Sequence, residues 1–452
     1  MDKVTPRTLS GFMELLPAPQ QQMEMLFDTL RRTYSLYGFT PLDTPAIESA
    51  EVLLAKGGGE TEKQIYRFMK GDSDLALRFD LTVPLAKYVA LNRASLHFPF
   101  RRFQIGKVWR GERAQRGRFR EFYQADIDVI GDGKLDIMND AEVPAVMSRA
   151  FTELGLTDFT IRINNRKVLA GYFELAGIIG KTTEVLRTID KLEKIGPEKV
   201  RAILHDDCGL DDAQVDAVLE FVTLEGSDEA KLAFLDERAE KNETLAEGAR
   251  ELRTVIEALP SLGVAKENFA VDLTIARGLD YYTGTVYETV VNSHPEIGSV
   301  CSGGRYDNLA EYYTDRKMPG VGMSIGVTRL FYVLSEQHML NSDVVTAPCD
   351  AIVLPMTDDT AFAAHVATVL RDKGIRTQLY TEDKKFKQKM SYASALGIPY
   401  AVIIGEDELA SGEVSLKDMT AGTQARYTPE DAALEISAAL AERGNEKLIK
   451  LN

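Results

Sequence analysis

Two strand-like segments that follow each other closely constrain the fold of this chain most. Residues 100–110 and 121–130 both have the pattern of a β-strand, and a short loop rich in arginine separates them. Because a loop this short joins antiparallel neighbours, the pattern predicts a long hairpin within an antiparallel sheet. Successive side chains of a strand point to opposite faces, so the second segment has a polar and an apolar face, formed by Gln124, Asp126 and Asp128, and by Ala125, Ile127 and Val129.

The polar face of this second segment has two possible interpretations. It could belong to an ordinary strand that is half exposed to solvent. It could also form an acidic floor that binds a cationic ligand, such as the ammonium group of an amino acid.

A long helical segment interrupts the strand patterns. Residues 168–262 are charged and helix-patterned, whereas strand patterns return at residues 269–291 and near Val300. We therefore expect a helical insertion, at about residues 170–262, between the two halves of one sheet-based domain that spans residues 1–336.

The composition changes at residues 337–348, which we interpret as a polar linker. Beyond it, buried-type strands at 351–354 and 400–404 alternate with helices. This alternation predicts a small α/β domain with a mainly parallel sheet over residues 349–452. The expected fold class is therefore α/β in the broad sense, with an α+β first domain.

Composition excludes several classes of protein. No run of about 18 apolar residues is present, so we expect no membrane span. The first residues lack the apolar stretch of a secretory signal. The three cysteines and five histidines are scattered, so neither a disulfide framework nor a metal site built on them is expected. A protein of the reducing cytoplasm fits these features.

The charge distribution is uneven. A net charge of −16 by itself argues against nucleic-acid binding, which needs local Lys and Arg. Two basic clusters nevertheless occur, formed by Arg101, Arg102, Arg110, Arg113, Arg116, Arg118 and Arg120, and by Lys384, Lys385, Lys387 and Lys389. Each cluster could be a solvated face or a set of phosphate contacts.

The string from Arg277 to Glu288 concentrates unusual chemistry. It holds a cation, an acid and three tyrosines, and it alternates apolar and polar residues like a strand. An arginine and phenol hydroxyls on an apolar scaffold suit one wall of a site for a small polar ligand and a negatively charged group. The alternative is that Arg277 only forms a salt bridge with Asp280 or Glu288.

The predicted hairpin carries a recognisable motif. Its order is Arg110-Gly111-Glu112, then Arg118, Phe122 and Asp126. This order resembles motif 2 of the class II aminoacyl-tRNA synthetases. The resemblance implies that Arg110 holds the α-phosphate of ATP, that Glu112 contacts the adenosine and that Phe122 stacks on the adenine. It also places Arg118 at the ATP site, and Mg²⁺ would accompany the ATP.

Two weaker motifs accompany it. The stretch from Gly38 to Pro45 resembles motif 1, which implies a homodimer interface. The glycine-rich stretch from Gly320 to Arg329 resembles motif 3, which implies that Arg329 meets the adenine ring and the γ-phosphate. Thr328 stands where the family usually has an acid, which puts that acid's orienting role in doubt. A dinucleotide-binding fingerprint would need a different glycine spacing.

Three further strings are more specific. Residues 277–288, 302–307 and 77–82 resemble the histidyl-tRNA synthetase family, and the similarity runs from Pro6 into the last domain. The resemblance implies a class II catalytic domain with an antiparallel sheet and a C-terminal anticodon-binding domain. It implies an enzyme that activates L-histidine with ATP and transfers it to tRNA-His.

The chemistry of histidine suggests a role for each remaining candidate. Its neutral ring has one donor and one acceptor nitrogen. Asp80, Thr82 and Gln124 are expected to hold the ammonium and backbone end, and Leu81 belongs to the same histidine-binding set. Asp128 would accept the ring N–H, and Tyr281 or Tyr282 would complete the ring contacts. Arg110 and Arg277, also in this set, would flank the α-phosphate. The two arginines are the predicted catalytic residues.

Two other functions remain as alternatives. One is a catalytically inactive regulatory paralogue that binds histidine, and the other is a different class II synthetase. Inactive paralogues tend to lose the arginines and the anticodon domain, whereas Arg110, Arg277 and Arg329 are all present here. The string that starts at Arg277 argues against another amino acid.

Overall fold

A computed structural model describes residues 3–55, 60–113, 117–189, 192–275, 281–443 and 447–450. The chain divides into two compact units. The first comprises Met1–Met13 and Asp28–Met339, and the second comprises Glu14–Phe27 and Leu340–Lys450. Among the described residues, no helix is both long and apolar enough to span a membrane.

The first unit is built on a large, mostly antiparallel sheet. Its strand order is β1-β5-β6-β11-β10-β9-β7-β8, and a smaller sheet has the order β2-β4-β3. The strands are β1 (Thr40–Pro41), β2 (Ile47–Ser49), β3 (Arg67–Lys70), β4 (Ser73–Leu77), β5 (Phe100–Trp109), β6 (Glu121–Ile130), β7 (Phe159–Asn165), β8 (Phe269–Val271), β9 (Thr285–Val291), β10 (Cys301–Tyr306) and β11 (Gly320–Gly326).

The predicted hairpin is confirmed. Strands β5 and β6 pair antiparallel from the pair Phe100 and Ile130 to the pair Trp109 and Glu121. On its other edge, β6 pairs antiparallel with β11. Strand β6 is therefore an interior strand of the sheet, and Ala125, Ile127 and Val129 on its apolar face are fully buried, as the alternation predicts.

Helices cover the first unit and form most of its insertion. They are α1 (Pro17–Leu36, which straddles both units), α2 (Ala50–Leu53), α3 (Glu60–Gln64), α4 (Thr82–Asn92), α5 (Met138–Leu154), α6 (Arg166–Leu175), α7 (Thr182–Ile189), α8 (Leu192–Ile195), α9 (Pro197–Asp206), α10 (Asp212–Val222), α11 (Asp228–Ala239), α12 (Glu243–Ala258) and α13 (Val327–Glu336). Helices α6 to α12 lie between β7 and β8, which pair in parallel. The predicted helical interruption of the sheet is therefore present.

Side-chain caps begin several of these insertion helices. Asn165 accepts a hydrogen bond from the Lys167 amide at the start of α6, at 2.9 Å. Asn242 caps α12 in the same way. Such caps satisfy amides that have no partner within the helix.

The second unit contains a five-stranded sheet with the order β13-β12-β14-β15-β16. Its elements are β12 (Ala351–Pro355), α14 (Ala361–Asp372), β13 (Thr377–Leu379), α15 (Phe386–Ala395), β14 (Tyr400–Ile404), α16 (Glu406–Ser411), β15 (Val414–Asp418), β16 (Gln424–Tyr427) and α17 (Pro429–Arg443). Strands β13, β12 and β14 are parallel as predicted, whereas β15 and β16 add an antiparallel edge that the sequence analysis did not identify.

One strand prediction was wrong in part. Of residues 277–288, those before Tyr281 lie outside the described part of the chain. Tyr281–Gly284 are irregular rather than a strand, and β9 begins at Thr285. The amide of Thr283 donates to the carbonyl oxygen of Arg305, at 2.8 Å, and the Thr283 hydroxyl donates to Asp307. Side-chain bonding of this kind competes with a regular ladder.

Close packing of α6 on α12 leads to a prediction of stability. A Cβ at Gly248 would lie 2.6 Å from the Val168 amide nitrogen and 2.8 Å from the Lys167 Cβ. Despite the better helix propensity of alanine, we expect Gly248→Ala to destabilise the insertion by about 1–3 kcal/mol. Thermal unfolding should detect it, and Arg250→Ala on the exposed face of α12 is the control. Equal melting temperatures for the two variants would contradict this packing.

Candidate functional site

One cavity of about 320 Å³ lies where β6, β10, β11 and the start of α13 meet. Its lining includes the residues of the predicted ATP site, which are Arg110, Glu112, Arg118, Phe122 and Arg329. It also includes Gln124 of β6 and small residues of β10 and β11 or just before β10, which are Ser299, Cys301, Ser302, Ser324 and Gly326. All five residues assigned to ATP in the sequence analysis thus line a single cavity, although Arg329 is far from the other four in the chain.

Arg110 is held in place at the inner part of this cavity. Its Nε donates to the Phe79 carbonyl oxygen at 3.2 Å. Its guanidinium carbon lies 4.4 Å from the centre of the Phe79 ring and 5.1 Å from that of Phe122. Burial lowers the pKa of Arg110, while the nearby Asp80 carboxylate opposes that change. The result is a fixed cation with remaining donors for an anionic ligand.

Glu112 and Arg118 lie at the more open side. Arg118 Nη1 is 3.5 Å from Glu112 Oε2, and half of the Arg118 side chain is exposed. An exposed pair at this distance contributes little to stability. Both side chains therefore remain available to a ligand.

Arg329 reaches the same cavity from α13. Its Nη2 donates to the Ile297 carbonyl oxygen, and burial lowers its pKa, helped by the nearby charge of Arg118. Thr328 is buried, and its hydroxyl accepts a hydrogen bond from the Tyr123 amide at 2.8 Å. Thr328 therefore ties α13 to β6, and the Ile297 carbonyl oxygen binds Arg329.

The polar face of β6 continues from the cavity into the protein. Gln124 Nε2 donates to Ser324 Oγ at 2.6 Å. Gln124 Oε1 and Asp126 Oδ1 are both buried and accept no hydrogen bond from any residue that the structure describes. Burial raises the pKa of Asp126. This face is neither half exposed nor fully satisfied, which excludes the interpretation as an ordinary solvated strand.

Asp128 is the innermost carboxylate of that face. The Tyr306 hydroxyl donates to its Oδ1 at 2.5 Å, and Arg102 Nη2 lies 2.7 Å from its Oδ2. Burial raises the pKa of Asp128, and both neighbours oppose the shift. A Cβ at Gly322 on β11 would collide with this carboxylate, so the glycine provides the necessary space.

Asp80, Leu81 and Thr82 lie at the N-terminus of α4, all buried. Asp80 Oδ1 accepts a hydrogen bond from the Val83 amide at 2.9 Å. Burial raises the pKa of Asp80, whereas Arg110 opposes this. Leu81 contributes its carbonyl oxygen to Arg102 at 3.1 Å. Of these residues, Asp80 lies near Arg110 and therefore connects the cavity with the buried polar face of β6.

Three tyrosines complete the inner wall. The ring of Tyr281 is centred 5.0 Å from that of Tyr282 and 5.8 Å from that of Tyr306. Burial raises the pKa of all three phenols, so they are neutral groups that can donate a proton in a hydrogen bond. Arg277, which precedes them in the chain, lies outside the described residues.

Sequence reasoning missed Tyr306 as a site residue. It belongs to the string 302–307, which contributed only to the resemblance. Alternation along β10 could have shown that Tyr306 shares a face with Gly304, beside the tyrosine pair. Its contact with Asp128 depends on strand order, which sequence periodicity does not contain.

A second buried ion pair supports this wall from behind. Arg305 Nη2 lies 2.7 Å from Asp140 Oδ2, and the Thr285 hydroxyl donates to Asp140 Oδ1 at 2.7 Å. Arg305 also donates to the Leu135 carbonyl oxygen. This pair is extensively hydrogen-bonded, which is the condition under which a buried charge pair is tolerated.

The two basic clusters differ from a simple solvated face. Arg102 is fully buried, and Arg101 pairs with Glu142 at 2.7 Å. In the second unit, Lys384, Lys385 and Lys387 are exposed. Lys389 is buried and donates to the Pro355 carbonyl oxygen, so its assignment to the surface cluster was wrong.

Comparisons with known proteins find relatives that match almost the whole chain. The family model for histidyl-tRNA synthetase matches residues 11–330, and the model for an anticodon binding domain matches residues 350–439. A protein from Clostridium tetani named histidine–tRNA ligase is 54% identical over 431 residues, which cover 95% of this chain and 98% of the relative. A protein of the same name from Xanthomonas campestris is 46% identical and covers 92% of each chain.

A solved structure is also similar over nearly the whole chain. The crystal structure of histidyl-tRNA synthetase from Nostoc sp. PCC 7120 matches with a TM-score of 0.89 and 41% identity, covering 97% of this chain and all of that one. With a family model matched over residues 11–330 and relatives this similar along their full length, the chain belongs to the histidyl-tRNA synthetase family, a class II aminoacyl-tRNA synthetase family.

Proposed function

We propose that this protein is a histidine–tRNA ligase, which forms histidyl-adenylate from L-histidine and ATP and then charges tRNA-His. The observation that carries the proposal is the continuity of the site. A cavity lined by Arg110, Phe122 and Arg329 borders a buried polar face that ends at Asp128 and three tyrosines.

ATP would occupy the cavity. Phe122 offers a ring for the adenine, and Glu112 offers an acceptor for the adenosine. Arg329 would meet the adenine ring and the γ-phosphate, and Arg118 would neutralise outer phosphate charge. Arginine suits these positions because its planar fork of donors matches phosphate oxygens.

Histidine would occupy the buried face. Asp80, Thr82 and Gln124 would bind its ammonium and backbone end, supported by the buried Gln124 Oε1, which lacks a donor among the described residues. Asp128 would accept the ring N–H, and Tyr281 or Tyr282 would contact the ring. Leu81, whose carbonyl oxygen binds Arg102, would shape the pocket indirectly. An apolar analogue would leave these buried groups unsatisfied, which gives strong discrimination.

The chemistry follows from positioning and charge. The histidine carboxylate attacks the α-phosphorus of ATP in line, and the bond to the bridging oxygen breaks as pyrophosphate leaves. Arg110 and Arg277 would flank the α-phosphate and stabilise its developing charge. A ribose hydroxyl of the terminal adenosine of tRNA then attacks the carbonyl carbon, and AMP leaves.

Mg²⁺ would accompany the ATP. The described residues contain no group of three or more His, Cys, Asp or Glu side chains that could hold a metal alone. Mg²⁺ is usually held by one or two carboxylates and substrate phosphates, and Glu112 is the carboxylate on the described lining of the cavity. The ion would neutralise charge on the outer phosphates.

The second unit would bind tRNA. Lys384, Lys385 and Lys387 lie exposed at the start of α15, beside Phe386, whose side chain is 45% exposed. Cations beside an exposed aromatic ring suit a single-stranded loop, in which phosphates and unstacked bases are both accessible. This local patch resolves the apparent conflict with the net charge of −16.

We further propose that the protein is a cytoplasmic homodimer. The motif 1 resemblance between Gly38 and Pro45 supports the dimer. The described cysteines are buried and free, which fits a reducing compartment. A regulatory paralogue without catalysis is not favoured, because the chain keeps Arg110 and Arg329 at one cavity and its close relatives are named as ligases.

Exchange of pyrophosphate into ATP tests the first step. We expect exchange with histidine and with none of the other common amino acids. Arg277→Ala should abolish the exchange while histidine still binds, because this arginine would act on the α-phosphate. Full activity of the variant would contradict the role of Arg277. Histidine binding by calorimetry without any exchange by the unaltered protein would favour the regulatory paralogue.

Paired variants test the two halves of the site. Asp128→Ala should raise the KM for histidine more than the KM for ATP, because it removes the acceptor for the ring N–H. Arg329→Met should do the reverse, because Arg329 lines the cavity proposed for the nucleotide. Steady-state exchange kinetics measure both constants. The assignment fails if each variant changes the two KM values equally.

Alanine at Lys384, Lys385 and Lys387 together tests the tRNA surface. We expect weaker tRNA binding and a salt slope that is shallower by about 0.7 for each phosphate that the variant no longer neutralises. Filter binding at several salt concentrations measures both quantities, and exchange without tRNA verifies the active site. The exposed Lys373, at the end of α14, is the control. An unchanged salt slope would exclude these lysines from the interface.

A further inference from the structure

Arg102 is an unusual residue to find inside a sheet. Its side chain is fully buried and is the largest fully buried side chain among the described residues. It lies on β5 directly opposite Asp128 of β6. Desolvating a guanidinium costs several kcal/mol unless its charge and donors are satisfied, so its presence needs a physical reason.

Hydrogen bonds to the described residues do not compensate for the burial of the Arg102 guanidinium. Nη2 donates to the Leu81 carbonyl oxygen at 3.1 Å. Nε and Nη1 are buried and have no hydrogen-bond partner among the residues that the structure describes. The contact with Asp128 Oδ2, at 2.7 Å, lacks hydrogen-bond geometry and is an ion pair held by charge alone.

The two carboxylate oxygens of Asp128 differ in their hydrogen bonding. Oδ1 accepts the Tyr306 hydroxyl at 2.5 Å. Oδ2 is buried, lies next to a cation, and receives no directed donor from the described part of the chain. A carboxylate oxygen in this state is an acceptor that awaits a donor from a ligand.

The surroundings of Asp128 would otherwise favour its neutral form. The titratable and charged groups that face it from the adjoining elements, within the described ranges, are Arg102 of β5, Asp126 of β6, Tyr306 of β10, Tyr282 before β9 and Asp80 before α4. Arg102 is the cation that opposes the burial of Asp128. Without it, two neighbouring buried carboxyl groups would repel each other and retain protons.

We propose that Arg102 is a positioning residue that determines histidine specificity, because it keeps Asp128 ionised and its Oδ2 open to accept the imidazole N–H. The inference rests on the proposed function and goes beyond it, since Arg102 touches neither substrate. Arg102 acts on the bound histidine through the charge of Asp128. Through its hydrogen bond to the Leu81 carbonyl oxygen, it also holds the N-terminus of α4.

The test compares Arg102→Met with Arg101→Met. Arg101 is its neighbour on the same strand, and its side chain lies on the opposite face, where it pairs with Glu142. In Arg102→Met we expect the KM for histidine in pyrophosphate exchange to rise on the order of 100-fold, with little change in the KM for ATP. Arg101→Met should keep both constants within about threefold of the unaltered protein.

The pH dependence separates this role from a purely structural one. In Arg102→Met the carboxyl of Asp128 loses its cation, so its pKa rises further and its protonated form is favoured. The ratio of histidine KM between variant and unaltered protein should therefore fall as the pH is raised, because the carboxyl then ionises. Titration of free histidine cancels in that ratio.

Arg102→Lys provides the conservative variant, and it carries the test if Arg102→Met does not fold. Lysine keeps the charge but not the planar fork, so we expect an intermediate rise, about tenfold, in the histidine KM. Equal rises in the KM for ATP and for histidine, or a histidine KM within about threefold of the unaltered protein in folded Arg102→Met, would overturn the proposal.

Calorimetric binding of histidine without ATP distinguishes the two proposals. An unaltered protein that binds histidine but shows no exchange would contradict the proposed ligase activity. The role of Arg102 is then judged by the ratio of histidine affinities between the variants and the unaltered protein. A loss of affinity in Arg102→Met that Arg101→Met does not share supports it, and equal affinities refute it.

Discussion

The pairing register of β6 with its two neighbouring strands determines which of its side chains form the polar face of the site. Strand β6 pairs with β5 on one edge and with β11 on the other, and both pairings are antiparallel. Side chains alternate along a strand, so a slip of one residue would exchange the buried apolar face with the polar one. The same register places Gly322 opposite Asp128, where any side chain would fill the space of the carboxylate.

Two buried arginine–aspartate pairs of the first unit differ in how completely they are hydrogen-bonded. Arg305 and Asp140 are joined by several directed hydrogen bonds, and this pair supports the wall of tyrosines. Arg102 and Asp128 are equally buried but leave donors and an acceptor without directed partners among the described residues. Unsatisfied polar groups in a dry interior cost free energy. That cost is tolerated where a ligand donates to the unbonded Asp128 Oδ2, so this acceptor indicates a binding site.

The sequence predicted the parts of this fold that depend on local periodicity. Alternation and a short loop were sufficient for the β5–β6 hairpin, whereas grouping Arg110, Phe122 and Arg329 required the resemblance to motifs 2 and 3 of a known family. What depended on strand order was missed. The contact of Tyr306 with Asp128 joins strands that are distant in the chain, and Lys389 was assigned to the surface because its contact with the Pro355 carbonyl has no sequence signal. The predicted strand failed at Tyr281–Gly284, where Thr283 bonds through its amide to the Arg305 carbonyl oxygen and through its hydroxyl to Asp307.

Arg110 connects the two halves of the site. The half that we propose for the nucleotide is more open and carries cations, Arg118 and Arg329, whose charges suit phosphates. The half that we propose for histidine is buried and carries carboxylates whose charges suit an ammonium and a ring N–H. Arg110 lies between them, because its Nε is fixed on the Phe79 carbonyl oxygen and its charge acts on Asp80. A reaction between a carboxylate and an α-phosphate brings two anions together, and the buried guanidinium at this junction is the group of the described site that both anions can share.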